Sequence, residues 1–162
     1  MTARDLTARP TGAASAPGWV TLFTPFARFL LRAGIPLGPN GLITIRGRKS
    51  GLPRTTPVAI IEVEDRRWIW APWGEVHWVR NLRAAGRATI SKSGRTEEVR
   101  ATELNADERI SFFRDDLGGL ARSIPFGVWF IRTVDSVDLN DPVGAADGRP
   151  VFELHAIEGP QS

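Results

Sequence analysis

Residues 41–71 read GLITIRGRKSGLPRTTPVAIIEVEDRRWIWA, and the fold is decided there. Leu42, Ile43 and Ile45 make a short strand, closed by the polar turn Gly47-Arg48-Lys49-Ser50-Gly51. A second strand runs from about Thr55 to Val63 with β-branched residues nearly throughout, Glu64-Asp65-Arg66 turns the chain, and Arg67 to Ala71 returns. Pro72, Trp73 and Gly74 end that strand. Working outward, residues 76–85 have a helical pattern stopped by Gly86. Arg87 to Ser91 and Arg95 to Leu104 form a further hairpin around Lys92-Ser93-Gly94. Asn105-Ala106-Asp107-Glu108 has the form of a capping box, so a helix starts there and runs towards Asp116. Gly118-Gly119 predicts a break, residues 120–132 a helix kinked at Pro125, and residues 134–149 an acidic loop. Val151 to Ile157 alternates weakly and predicts a last strand. About six antiparallel strands joined by hairpins, with helices between them, predict an α+β, mainly β fold. A small β-barrel with flanking helices suits them better than a parallel sheet.

The N-terminal part divides in two. Residues 1–17 hold Thr, Ala, Gly, Pro, Ser and Arg with one Leu, and predict a flexible tail. Residues 18–40 predict a helix and linker. Thr24-Pro25 is a cap and first-turn signal, and Leu22, Phe26, Phe29, Leu30 and Ala33 recur at helical spacing. Arg28 and Arg32 lie on another face, and Gly34 and Pro36 end the helix. Those arginines and prolines argue against a membrane span, which needs about 20 clean apolar residues. Two readings remain for 18–37: a helix covering the open end of the sheet, or a basic amphipathic helix resting on an anionic membrane. No h-region of a signal peptide is present, so the expected location is cytoplasmic, with membrane association as the second reading. Residues 41–158 are then one domain.

Composition narrows the chemistry. The chain has 162 residues, 42% hydrophobic and 24% charged, as a soluble globular protein has. It contains no Cys and no Tyr, which excludes disulfides, thiolate ligands and nucleophiles, and tyrosine proton donors. His77 and His155 are the only histidines, so no His-rich metal site is expected. Nineteen of the 21 basic residues are Arg, a bias that points to a GC-rich genome rather than to function. Residues 1–61 nevertheless hold eight basic groups against the single acid Asp5, which suggests an anionic partner such as a phosphate or polyanionic cofactor.

Two stretches carry chemistry. In Gly47-Arg48-Lys49-Ser50-Gly51-Leu52-Pro53-Arg54-Thr55-Thr56-Pro57, two glycines permit a tight turn whose N–H groups converge on an anion. Arg48, Lys49 and Arg54 add charge, and Ser50, Thr55 and Thr56 add hydroxyls. The alternative is a solvated basic turn, but Lys49 stands in a chain that otherwise almost always uses arginine. The second stretch holds Trp68, Trp70, Trp73 and Trp78. Trp68 and Trp70 share a strand face, and Trp78, Asn81 and Leu82 share a helix face. They either wall a flat aromatic ligand or form a Trp-rich core. Acidic residues beside them, Glu62, Glu64, Asp65 and Glu75, argue against a nucleic-acid groove. His77 and His155 are weaker candidates. Phe112, Phe113, Phe126, Trp129 and Phe130 suit a hydrophobic lining or core.

The run from Gly47 to Pro57 closely resembles the signature of the deazaflavin-dependent nitroreductase family of actinobacteria. Trp78-x-x-Asn81-Leu82, followed by Gly86 and a strand, resembles that family's second signature, and the likeness covers about residues 41–157. It implies a split β-barrel similar to the flavin-binding ones. It implies binding of coenzyme F420, with flavin mononucleotide a poorer substitute. The coenzyme's phosphate would lie on Lys49 and Arg54, helped by Arg48 and Ser50. Thr56 and Pro57 would adjoin its ring, Trp70, Ala71 and Trp73 would follow its second side, and Trp78 and Asn81 would support it. It also implies hydride transfer to a small apolar acceptor (a quinone, an enone or a nitroaromatic), with no side chain acting as nucleophile. Split barrels often pair, so a homodimer is expected. The sequence departs from the pattern at Pro72 and Trp73, where better-known members carry Ser and Lys. Some relatives bind fatty acyl chains, which makes a non-redox lipid-binding protein the alternative.

Overall fold

The computed structural model describes residues 40–158. The expected tail and the expected helix at 18–37 lie outside the described residues.

β1 (Asn40–Arg46) pairs antiparallel with β2 (Pro53–Val63), from Asn40 opposite Ala59 to Arg46 opposite Pro53. β2 turns through Glu64 and Asp65 into β3 (Arg66–Trp70). β4 (Arg87–Lys92) and β5 (Arg95–Glu103) form the next hairpin. Its turn residues Ser93 and Gly94 both have positive φ, 51° and 77°, the twist that a two-residue hairpin needs. β6 (Val151–Ala156) lies between β3 and β5, and β1 also pairs with β4. The order β1-β2-β3-β6-β5-β4 closes on itself, which removes exposed sheet edges. The six antiparallel strands with helices around them are those expected from the sequence.

Strand alternation divides the apolar residues between two cores. Ile43, Ile45, Val58, Ile60, Ile69, Val99, Phe152 and Leu154 fill the barrel, together with Val79 and Leu82 of α1 (His77–Ala85). Ile61, Trp68, Trp70 and Val151 point outward and meet the helical layer. That layer begins with α2 (Ala106–Ser111), capped as predicted. The Glu108 N–H donates to Asn105 Oδ1, and the Asn105 N–H to Glu108 Oε2, both at 2.9 Å.

The predicted break at Gly118-Gly119 is not there. α2 passes into a π-helical stretch, Phe112–Leu117, and resumes as α3 (Gly118–Ser123). A Cβ at Gly118 would lie 2.7 Å from the Phe113 carbonyl oxygen, so this glycine fits the crowded π turn rather than ending the helix. The chain breaks at Ile124 instead, whose extended backbone is what a following proline enforces. Pro125 therefore separates α3 from α4 (Gly127–Val134) rather than kinking one helix. The acidic loop contains a short helix, α5 (Pro142–Ala146), capped by Asp141, which accepts from the Gly144 N–H at 3.0 Å.

Arg149 is 3% exposed, and its guanidinium ties three segments together. It donates to the carbonyls of Pro72 at 3.0 Å, Ala145 at 3.1 Å, and Gly144 and Ser136 at 3.3 Å. Asp135 caps α4 nearby, and burial pushes its carboxyl up to about 6, with Arg149 opposing. The unfolded carboxyl titrates near 3.8, so between that value and 6 the folded protein holds the extra proton and stability falls as pH rises. The whole effect is about 2–3 kcal/mol. Asp135→Asn is expected to flatten this slope in urea titrations between pH 4 and 7 and to leave the variant the more stable form at neutral pH.

Candidate functional site

The β1–β2 turn is built for close contact. Its ends are joined by Gly47 N–H to the Leu52 carbonyl at 2.8 Å and Gly51 N–H to the Gly47 carbonyl at 2.9 Å. Gly51 has φ +69°, which favours glycine, and a Cβ at Gly47 would sit 2.8 Å from Ser50 Oγ, so that hydroxyl would have to turn away. The Ser50 hydroxyl accepts from the Leu52 N–H at 3.2 Å. The turn is fastened to α1 by Asn81, one of the few buried polar side chains. Asn81 Oδ1 accepts from Arg48 Nη1 at 2.8 Å and from the Arg48 backbone N–H at 3.2 Å.

Between this turn and α1 lies a cleft of about 640 Å³. Arg48, Lys49, Arg54 and Ser50 line one side, and His77, Trp78 and Asn81 the other. Ile45, Thr55 and Thr56 lie along its β-strand wall. Arg54 pairs with Ile45 and Thr56 with Ile43, so both stand on the inward face of β2 where the barrel opens. Trp78 leans on Phe152 of the barrel core, centroids 6.2 Å apart. Among the described residues no carboxylate lines the cleft, whereas Arg66, Arg67 and Arg83 elsewhere are each paired with glutamates. Among the described residues no group of three His, Cys, Asp or Glu gathers to hold a metal.

The cleft thus brings together Arg48, Lys49, Ser50, Arg54, Thr56, Trp78 and Asn81 from the two sequence stretches. It does not include the other four expected residues. Pro57 falls on the opposite face of β2 from Thr56. Ala71 is buried in the barrel core. Trp70 stands away from the cleft: β3 turns Ile69 into the barrel, so Trp68 and Trp70 face the helices. Trp68 packs on Phe112 at 5.6 Å and Trp70 edge-on against Phe113 at 5.3 Å, so Phe112 and Phe113 are core as well. Trp73 is half-buried beyond the cleft lining, and its buried Nε1 has no hydrogen-bond partner among the described residues. His155 is exposed at the end of β6, away from the cleft. The sequence reading gave Ile45 and Pro53 no role in the site, although both line it; Thr55, a hydroxyl of the basic stretch, and His77, a weaker candidate, line it as well. Strand register supplies Ile45 once Arg54 is placed, and His77 follows from its place beside Trp78.

Asn81→Ala is expected to weaken anion binding in the cleft about tenfold or more. It frees the Arg48 guanidinium, and a hydrogen bond to a charged group contributes about 1.5–3 kcal/mol. Isothermal titration beside a thermal melt checks it.

The family model described as F420H(2)-dependent quinone reductase matches residues 32–118. No curated protein matches the chain in sequence. Among solved structures, one described as a domain-swapped dimer is 19% identical, covers 85% of this chain and 97% of its own, and superposes with a TM-score of 0.51. A candidate 5-nitroimidazole antibiotic resistance protein from Bacteroides thetaiotaomicron is 11% identical, with coverage of 81% and 80% and a TM-score of 0.52. A structure described as an F420-H2 dependent reductase is 20% identical, with coverage of 72% and 94% and a TM-score of 0.48. The first two share the barrel fold of this chain.

Proposed function

We propose, from the premise that the chain belongs to the F420H(2)-dependent quinone reductase family, that its cleft directs a hydride to a small apolar acceptor: a quinone, an enone or a nitroaromatic. The protein is an F420-dependent oxidoreductase. The observation that carries the site assignment is a cleft with three cations and, among the described residues, no carboxylate, on a tight turn whose Gly51 has positive φ. That donor set fits a phosphate-bearing deazaflavin. When bound, the coenzyme supplies the hydride.

The side chains have binding and orienting roles. Lys49 and Arg54 hold the phosphate, with Ser50 and Thr56 as neutral donors. Arg48 is held ready by Asn81. Trp78 and Ile45 give the ring apolar surface and keep water from the reacting face. We also read the protein as a homodimer and residues 18–37 as a membrane contact.

The test is a titration with oxidised F420 followed by tryptophan fluorescence, with flavin mononucleotide and a long-chain fatty acid beside it. Saturable quenching by F420 in preference to flavin mononucleotide, followed by F420H2 oxidation on adding a short-chain quinone, is expected. Saturable binding of the fatty acid alone would replace this reading by lipid binding. Light scattering reads the dimer.

A further inference from the structure

The tip between α3 and α4 carries an apolar surface that the cleft does not use. Phe126 is 82% exposed, Trp129 63% and Ile124 51%. Phe126 sits at φ +61°, a left-handed conformation unfavourable for an aromatic residue. Gly127 follows it with no space for a Cβ, because the Ala121 carbonyl occupies that position, and the Gly127 N–H donates to the Ile124 carbonyl at 3.0 Å. The tight turn therefore holds the Phe126 ring out into solvent. Phe126, Trp129 and Arg132 follow at intervals of three on one side of α4, while Val128 and Ile131 pack against the helical core. From Leu117 to Val134 there are two exposed arginines, Arg122 and Arg132, and no carboxylate; Arg122 donates to the Arg114 carbonyl at 2.8 Å, on the side of Asp115.

We infer that this hairpin tip docks on an anionic lipid surface. Phe126 and Trp129 would enter the boundary between headgroups and acyl chains, the depth that aromatic side chains favour. Arg132 would meet the lipid phosphates, and Arg122, held against the Arg114 carbonyl, would add to the positive potential behind the tip. A second copy of the chain suits the tip less well: a self-complementary contact would bring arginines together with no acid in the hairpin to pair with them. The inference does not depend on which acceptor the cleft takes.

Sedimentation of the full chain with vesicles of phosphatidylcholine, with and without phosphatidylglycerol, tests it. The protein is expected to partition onto the anionic vesicles and to release as salt rises. Phe126→Ser with Trp129→Ser should lower partition roughly tenfold or more. Arg122→Gln with Arg132→Gln should lower it on anionic vesicles only. Phe126→Gly removes the ring and relieves the positive φ, so it should lose partition without losing stability. Equal partition of wild type and the aromatic variants would overturn the inference, placing any membrane contact elsewhere. So would no partition at all, or a wild-type dimer that the aromatic variants convert to monomer.

Discussion

Replacing Lys49 and Arg54 together by alanine is expected to weaken F420 binding at least a hundredfold. Both line the cleft, no carboxylate lines it beside them, and neither makes an ion pair among the described residues. No structural partner is therefore lost with them, and the fold should melt as before. A hydrogen bond to a charged group contributes about 1.5–3 kcal/mol, and two such bonds to one phosphate give the expected range. Exposed charges are screened by salt, so the comparison belongs at physiological ionic strength, where only contact pairs keep their strength. Arg95→Ala removes an exposed charge from the far β4–β5 turn and should leave affinity within about twofold. If the double variant binds as the wild type does, the phosphate site is not at this turn. If Arg95→Ala weakens binding as much, the effect is one of net charge.

The barrel was legible because its signals are local. The β-branched run of β2, the Ser93-Gly94 turn and the Asn105–Glu108 box each follow from a few adjacent residues, and each stands where the sequence places it. The basic turn and the Trp78–Asn81 helix face were also legible, and they meet across 33 residues through one hydrogen-bonded pair. What local pattern does not carry is which face of a strand turns inward. Trp68, Ile69 and Trp70 are all buried, so alternation in β3 gives no polar side to mark as outer. Only the helical layer packed on the barrel decides that the tryptophans face outward, which removes Trp70 from the site. Gly118 was misleading for a similar reason: two glycines in sequence read as a break, but here one serves a tight approach inside a continuous helix. The turn at Ile124–Phe126 rests on Pro125, whose effect on the residue before it was readable.

Arg149→Met is expected to cost about 3–5 kcal/mol, the usual result of removing one side of a buried charged network. Arg149 joins the Pro72 loop, the segment after α4 and the end of α5 through four backbone carbonyls. Methionine fills part of the volume but donates to none of them, and a buried carbonyl left unpaired costs about 1–3 kcal/mol. Burial pushes the guanidinium pKa down, while Asp147 and Asp135 oppose this. Arg149→Lys should recover only part of the loss, because one ammonium cannot reach carbonyls spread around a planar fork. A melting temperature lower by roughly 10 °C for Arg149→Met, and an intermediate one for Arg149→Lys, would agree with this. Where the variant is still folded, its F420 affinity should stay within a few-fold of wild type. The cleft end of α1 is fixed separately, by the Asn81–Arg48 bonds and by Val79 and Leu82 in the barrel core. A large loss of affinity without a loss of stability would mean instead that Arg149 holds the Pro72 loop for the coenzyme.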